Sequence, residues 1–363
     1  MPKSAIVLAI CLSAGAAHAQ IHPSHQVIAT VESSWNQGAL SYFESASPWP
    51  ASPEVDKLSV NSIPHEFFGQ LYVLECDERV VQVRELPSLK LLDALKISAV
   101  AAPRDLVMVG SRMALISDHD SDHLWWLDTW TGDLAQGPSL RDHADADGYP
   151  DVTRMALVGQ DVYVQMQRYD RANPNIEYGA RLAVLGPAFN PLEPAVLVGS
   201  IDLQGFRPDH RMQANAAGDK LWLSAPGLND DWGWYDRGIE EVDLINGVSL
   251  GFVMTETHFG GDLGGFVMVD DNKGFAIVHT SIVASTHLRV FERNVGQLAE
   301  LHVAFGRLEC IAHDRVRRQI FFPVPHGGPS APGGVLVFSA DTHQQLSGLI
   351  ELGGGPRELI VVQ

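Results

Sequence analysis

Residues 103–133, PRDLVMVGSRMALISDHDSDHLWWLDTWTGD, decide the fold of this chain. Three apolar runs, Pro103–Val109, Met113–Ile116 and Leu124–Asp128, are separated by short segments that contain Gly, Ser and Asp. Short runs of aliphatic, β-branched and aromatic residues between such turn residues predict strands joined by hairpins. The stretch therefore reads as three successive antiparallel strands, followed by a turn at Thr131–Asp133.

The same order of strands and turns recurs along the chain. Similar units begin at Asp56–Val60, Val152–Val158, Pro208–Met212, Gly264–Val269, Gly306–Cys310 and Pro356–Val362. A period of roughly 40 to 55 residues with several strands per unit is typical of β-propeller blades. No long apolar stripe of helical period interrupts the strands, which favours an all-β protein. The sequence thus predicts a seven-bladed β-propeller, with six blades as the alternative if the segment at residues 56–60 is a loop.

The two ends of the repeat array are complementary. The last unit holds a single strand, whereas the first segment has strands at Gln26–Val31 and Ala39–Phe43 with no inner strand before them. Pairing of the carboxyl-terminal strand with the amino-terminal blade would close the ring and cover two open sheet edges.

The first 19 residues have the pattern of a signal peptide. Lys3 precedes the apolar run Ala5–Leu12, and Ala17–Ala19 is a small-x-small motif that predicts cleavage before Gln20. We expect a periplasmic or secreted protein with one domain over residues 20–363, and the alternative is a lipoprotein attached at Cys11. The pairing of the two remaining cysteines, Cys76 and Cys310, stays open.

Composition limits the partners. The chain has 363 residues, 45% of them hydrophobic, as expected of a folded protein. Lys and Arg number 25 against 44 Asp and Glu, so the formal net charge is -19. Nucleic acids and anionic lipids attract cationic surfaces and are therefore poor partners. We expect a monomer without an integral membrane segment.

The repeat pattern resembles that of the bacterial exported YVTN-repeat β-propellers. The resemblance is carried by Leu71–Leu74, Pro103–Val109, Leu127–Asp128 with Thr131–Gly132, and the stretch from Asp145 to Arg171. Such propellers are similar to the heavy subunits of amine dehydrogenases and to the haem-bearing propellers of nitrite reductases, in which the redox cofactor sits on a partner chain or on residues with no match here. The resemblance implies a fold and an export route, and it implies no reaction.

Three aspartates surround a glycine turn in a loop between predicted blades. Asp145, Asp147 and Asp151 flank Gly148. Closely spaced carboxylates can wrap calcium, which takes several oxygen ligands in flexible geometry. The complete EF-hand loop is absent, so the alternative is a hydrogen-bonded Asx turn.

Two further segments are candidate sites. Trp232, Trp234 and Tyr235 form an aromatic loop that could stack on a sugar or a cation, or pack on a neighbouring blade. Ser117–His123 holds two histidines and three aspartates. These side chains could bind a transition metal, or the segment could be a solvated hairpin turn. Gln167–Arg171 is the candidate for an ion-pair network between blades.

No motif in the sequence supports a catalytic nucleophile or a bound cofactor other than calcium. The leading hypothesis is an exported, non-catalytic propeller that presents its loop faces to a protein or a small ligand. The alternatives are the propeller subunit of a redox enzyme, similar to an amine dehydrogenase heavy chain, and a sugar-binding module.

Overall fold

The structure is a computed structural model in which seven antiparallel sheets of four strands are arranged as a ring. It describes residues 26–34, 37–173, 178–187, 195–225, 238–280, 285–306, 308–326 and 332–362. The ring is a seven-bladed β-propeller, as the sequence predicts. Among the described residues, no helix is long and apolar enough to cross a membrane.

Blade 1 joins the two ends of the chain, and blades 2 and 3 follow it in sequence. Blade 1 consists of β1 (Gln26–Ser34), β2 (Gln37–Glu44), β3 (Ala51–Leu58) and β28 (Gly355–Val362). Blade 2 consists of β4 (Ser62–Phe67), β5 (Gln70–Glu75), β6 (Val80–Glu85) and β7 (Leu91–Lys96). Blade 3 consists of β8 (Pro103–Met108), β9 (Met113–Asp118), β10 (His123–Asp128) and β11 (Leu134–Ser139).

Blades 4 to 7 repeat the same order of strands. Blade 4 consists of β12 (Val152–Val158), β13 (Asp161–Met166), β14 (Arg181–Gly186) and β15 (Val196–Asp202). Blade 5 consists of β16 (Gln213–Ala214), β17 (Lys220–Ala225), β18 (Gly238–Asp243) and β19 (Val248–Thr255). Blade 6 consists of β20 (Asp262–Met268), β21 (Lys273–Thr280), β22 (Ser285–Glu292) and β23 (Gly296–Phe305). Blade 7 consists of β24 (Ala312–Asp314), β25 (Gln319–Val324), β26 (Gly334–Ser339) and β27 (Ile350–Glu351). A 3-10 turn (Arg141–His143) precedes blade 4, and a one-turn helix, α1 (Glu256–Phe259), precedes blade 6.

Apolar packing between blades forms the core. The second strand of a blade is buried on both faces because it lies between two neighbouring blades, and β17 reads KLWLSA with five of its six residues buried. The outermost strand has one face toward solvent, so β15 alternates exposed and half-buried residues over most of its length. Seven clusters of buried side chains lie one at each interface between adjacent blades. The ring is therefore held by the repeated burial of apolar sheet faces.

Closure occurs as predicted. β28 pairs antiparallel with β1, from Gln26 opposite Val362 to Glu32 opposite Gly355. The innermost strand of blade 1 thus comes from the carboxyl-terminal end of the chain, and its three other strands come from the amino-terminal end. Phe43 of this blade packs edge-on against Phe321 of blade 7, with ring centroids 5.5 Å apart.

Three predicted inner strands are displaced. Residues 56–58 pair with β2 as part of β3, the outer strand of blade 1, so the inner strand of blade 2 starts later, at Ser62. In blade 5 the carbonyls of Pro208 and His210 accept hydrogen bonds from Thr153 Oγ1 (2.8 Å) and Gln165 Nε2 (3.1 Å) of blade 4, so strand pairing is delayed until Gln213. In blade 7 the inner strand begins at Ala312 and not within residues 306–310.

The interface that closes the ring should be sensitive to loss of packing. Phe43 is fully buried, so Phe43→Ala should lower the free energy of unfolding by about 3–5 kcal/mol, because it leaves a cavity between blades 1 and 7. Phe68→Ala is the matched control, since Phe68 is 70% exposed and should cost less than about 1 kcal/mol. Urea unfolding followed by circular dichroism measures both, and equal losses in the two variants would contradict this description of the closing interface.

Candidate functional site

A cavity of about 790 Å³ opens on the ring axis, at the end where the innermost strands begin. Its lining includes the first residues of β4, β8, β12 and β28, the segments that precede β16 and β24, and residues that directly follow β5, β9 and β13. Four arginines line it: Arg79, Arg104, Arg154 and Arg357. Four carboxylates line it as well: Asp77, Asp209, Glu309 and Glu358.

Glu358 is held by two arginines from the opposite side of the ring. Its Oε1 lies 2.5 Å from Arg154 Nη2, and its Oε2 lies 3.0 Å from Arg211 Nε. Arg211 also donates from Nη2 to the carbonyl of Pro64, at 2.8 Å. Because these residues belong to blades 1, 4, 5 and 2, the bonds span the channel. Burial alone would raise the pKa of Glu358, but the two guanidinium groups hold it below its usual value.

We name Arg154, Glu358 and Arg211 the channel triad. A second, narrow cavity of about 60 Å³ is lined by all three members of the triad together with Phe266 and Cys310. Arg154 and Glu358 line both cavities, so the two cavities adjoin at the triad.

Arg154 keeps one donor free at this position. Its Nε donates to the carbonyl of Asp209 at 3.1 Å and its Nη2 binds Glu358, but Nη1 is buried and has no hydrogen-bond partner among the described residues. A buried guanidinium N–H without an acceptor is costly unless a water molecule or a ligand satisfies it.

A second polar contact braces the channel beside the triad. His65 Nε2 of blade 2 lies 2.8 Å from Asp105 Oδ1 of blade 3. The other oxygen of Asp105 accepts the backbone N–H of Met155 in blade 4, at 2.7 Å. Burial would raise the pKa of Asp105, but His65, and to a smaller degree Arg154, lower it below its usual value. Three blades are thus linked through one buried carboxylate.

Cys76 lines the cavity but is a poor nucleophile. Burial raises the pKa of its thiol to about 12, so the group is neutral at physiological pH. Reactive cysteines instead have a lowered pKa and carry a thiolate. Cys76 and Cys310 are not bonded to each other in the structure.

The three aspartates singled out in the sequence do lie together. Each of Asp145, Asp147 and Asp151 offers a carboxylate oxygen, and these oxygens lie within 4.8 Å of one another. The loop is shaped by Asx turns, in which Asp145 Oδ1 accepts the N–H of Asp147 (3.0 Å) and Asp147 Oδ1 accepts the N–H of Tyr149 (2.9 Å). We call this group the aspartate cluster.

Arg171 supplies one positive charge to the aspartate cluster. Its Nη2 donates to Asp151 Oδ1 at 2.7 Å, and its backbone N–H donates to Asp147 Oδ2 at 3.1 Å. The Oδ2 atom of Asp145 is buried without a hydrogen-bond partner among the described residues. Burial, together with repulsion from Asp147, raises the pKa of Asp145 to about 7. One arginine therefore does not neutralise three carboxylates.

His119 joins the aspartate cluster to the axial cavity. Its side chain lines the cavity, its Nε2 lies 3.8 Å from Asp151 Oδ1, and its carbonyl accepts Nη2 of Arg171 at 2.9 Å. Arg171 also pairs with Asp120 of blade 3 at 2.9 Å, so one member of the predicted network forms an ion pair between blades. Among the described residues, Arg168 instead donates to the carbonyl of Gly179, and Asp170 accepts hydrogen bonds from residues 172 and 173. The cluster lies at the rim of the cavity.

The aromatic loop and the histidine-rich segment are the other two candidate sites predicted from the sequence. Trp232, Trp234 and Tyr235 lie outside the described residues. His119 and His123 lie in the β9–β10 hairpin, and within the described ranges neither joins a group of three potential metal ligands. His123 Nδ1 instead lies 3.0 Å from Asp122 Oδ1.

The channel triad was missed because its members come from distant parts of the sequence. One signal could have found it. When the repeat units are aligned on their inner strands, an arginine stands one or two residues before the apolar landmark of most units, as in Arg104-Asp105-Leu106, Arg154-Met155, Arg211-Met212 and Arg357-Glu358-Leu359. A charge that recurs at the axial end of inner strands predicts a charged channel.

Comparison with known proteins supports the fold and no more. No family model matches the chain, and no curated protein matches it in sequence. Among solved structures, a Bacteroides fragilis protein assigned to the 6-phosphogluconolactonases has a TM-score of 0.65 at 12% identity, covering 95% of this chain and 99% of that one. AztD from Citrobacter koseri has a TM-score of 0.53 at 11% identity, covering 93% and 98%.

A third solved structure extends the range of functions. The dihydro-heme d1 dehydrogenase NirN, solved in complex with DHE, has a TM-score of 0.54 at 14% identity and covers 93% of this chain and 75% of that one. Because identities are this low and the proteins differ in function, the likeness identifies the shape of the chain and not its activity.

The raised pKa of Asp145 has a consequence for stability. A carboxyl that binds its proton more tightly in the folded state stabilises that state at low pH, and the contribution is lost as pH rises from about 4 to about 7. Asp145→Asn removes one of the repelling charges, so its thermal midpoint should exceed that of the wild type at pH 8 and should lose this advantage at pH 5. The matched control is Asp142→Asn, an exposed carboxylate in the same connection. Equal thermal midpoints for wild type and Asp145→Asn at pH 8 would contradict the repulsion between carboxylates in the aspartate cluster.

Calcium at the aspartate cluster stays a prediction of the sequence. If calcium binds, adding it at pH 8 should raise the thermal midpoint of the wild type and leave that of Asp145→Asn unchanged, because the ion would take the place of the proton between the carboxylates. The absence of any shift at millimolar calcium would overturn the prediction.

Proposed function

We propose that this protein is an exported, non-catalytic binding protein that holds a small molecule in the axial cavity. The observation that carries the proposal is the cavity itself, whose volume of about 790 Å³ lies in the range of small-molecule sites, roughly 300–1,000 Å³. Loops and strand ends from several blades contribute to it, as is usual for sites built on a rigid scaffold.

The chemistry of the lining favours binding over nucleophilic catalysis. The Cys76 thiol is neutral because burial raises its pKa to about 12. The carboxylates Glu358 and Asp105 are engaged by guanidinium, imidazole and backbone donors, so they serve to hold the channel together. NirN, a propeller chain of similar shape, was solved with DHE. A bound small molecule is therefore compatible with this scaffold.

Export is part of the proposal. It is supported by the signal-peptide pattern of residues 1–19, which precede the first described strand. A periplasmic or secreted protein of this kind would act as a monomer, because β28 and β1 close the propeller without a strand from a second chain.

The proposal is tested on protein purified from the periplasm of its native host. Native mass spectrometry should find a monomer with a bound small molecule, and the amino-terminal residue should be Gln20. Ala101→Trp should lose the ligand, because Ala101 is an exposed residue of the cavity lining and the indole would fill the mouth. The matched control, Val295→Trp, lies at an exposed turn between β22 and β23, away from the cavity, and should keep the ligand.

Other outcomes would contradict the proposal. A stoichiometric haem or quinone, or a cofactor-bearing partner chain, would indicate the redox subunit instead. Binding to a glycan array that is lost in Trp232→Ala and Trp234→Ala would indicate the sugar-binding module. A ligand retained by Ala101→Trp would place the binding site outside the axial cavity.

A further inference from the structure

We propose that the ligand of the axial cavity carries a carboxylate or phosphate group, which binds Arg154 at the channel triad and Arg104 on the cavity wall. This inference rests on the proposed function, because it names the chemical class of the molecule that the cavity takes. It is drawn from the positions and the pairing of the arginines.

The first step concerns the channel triad. Two guanidinium groups share the single carboxylate of Glu358, so the triad alone has an excess of one positive charge. The side chain of Arg154 is only 16% exposed, and the buried Nη1 of this residue has no acceptor. An oxyanion in the cavity would supply the missing acceptor.

The second step concerns Arg104. This residue stands at the beginning of β8, next to β12, whose first residues include Arg154, and both arginines line the cavity. Both guanidinium groups lie close enough to Cys76 to oppose the increase in its pKa that burial causes. In the part of the chain that the structure describes, the Arg104 side chain has no hydrogen-bond or ion-pair partner, and it is exposed to the cavity. Two guanidinium groups are thus available from adjacent inner strands.

Among the other lining charges, Arg79 is also exposed and has no side-chain partner among the described residues, whereas the rest are engaged or are negative. Arg357 donates from Nε to Glu32 Oε2 at 2.8 Å, and Asp77 accepts Nδ2 of Asn61 at 2.9 Å. The carboxylates of Asp209 and Glu309 also face the cavity. These negative charges would repel a large polyanion, so the geometry favours a molecule with one or two negative charges at the arginine pair. This preference is notable in a chain whose net charge is -19, since an acidic surface otherwise repels anions.

The test uses small oxyanions as probes. Inorganic phosphate and malonate are titrated separately into the purified protein at constant ionic strength, and binding is followed by calorimetry. At least one probe should bind the wild type. Tighter binding of phosphate would indicate a phosphate group on the ligand, and tighter binding of malonate would indicate a carboxylate. Arg104→Gln should weaken binding by about tenfold or more, as expected for loss of a charge-assisted hydrogen bond.

Two further variants keep the test specific. Arg154→Lys retains a cation beside Glu358 but removes the Nη1 donor, so it too should weaken binding. Arg112→Gln is the matched control, because Arg112 pairs with Asp128 at the opposite end of β8 and should leave the affinity unchanged. Circular dichroism confirms that each variant is folded.

The outcomes separate this inference from the proposed function. Binding that is equal in wild type and Arg104→Gln would mean adventitious anion binding only and would overturn the inference. If neither probe binds, but the native ligand is a neutral or cationic molecule that Ala101→Trp loses, the inference fails and the proposed function stands. If Ala101→Trp retains whatever ligand the wild type holds, the proposed function fails as well.

Discussion

The pairing of β28 with β1 is the constraint on which the rest of the structure depends. A propeller blade buries its two faces against its neighbours, so an unclosed ring would leave the faces of its first and last blades without a partner. Antiparallel hydrogen bonds from Gln26 to Glu32 close the ring, and the side chains of Phe43 and Phe321 fill the interface that results. Each of the seven apolar clusters can then lie between two blades.

Closure also assembles the candidate site. The strand that completes blade 1 carries Glu358 into the channel, where Arg154 and Arg211 bind it from blades on the other side of the axis. Glu358 and Arg154 are separated by 204 residues in sequence, and they meet only in the closed ring. The cavity is therefore a product of the same strand that holds the fold together.

The architecture could be predicted from local patterns in the sequence, whereas the contacts within the channel could not. Short strand runs such as Pro103–Val109 and Leu124–Asp128 are recognisable because their apolar pattern is local, and the structure shifts one end of each by a single residue. The aspartate cluster was predictable for the same reason, since its three members lie within seven residues. The inner strand of blade 5 was misplaced because Pro208 and His210 give their carbonyls to side chains of blade 4, a contact between different repeat units. The channel triad also consists of contacts between different repeat units. Only an alignment of those units shows that its arginines occupy matching positions.

The central claim is that the charged channel, completed by β28, holds an oxyanion-bearing ligand at Arg154. A high-resolution crystal structure of the protein purified from its native host tests it most directly. The account predicts electron density for a small molecule with an oxygen atom within hydrogen-bond distance of Arg154 Nη1, beside an intact bridge from Glu358 to Arg154 and Arg211. A cavity that contains only water, or an Arg154 whose Nη1 is bonded to another group of the protein, would contradict it.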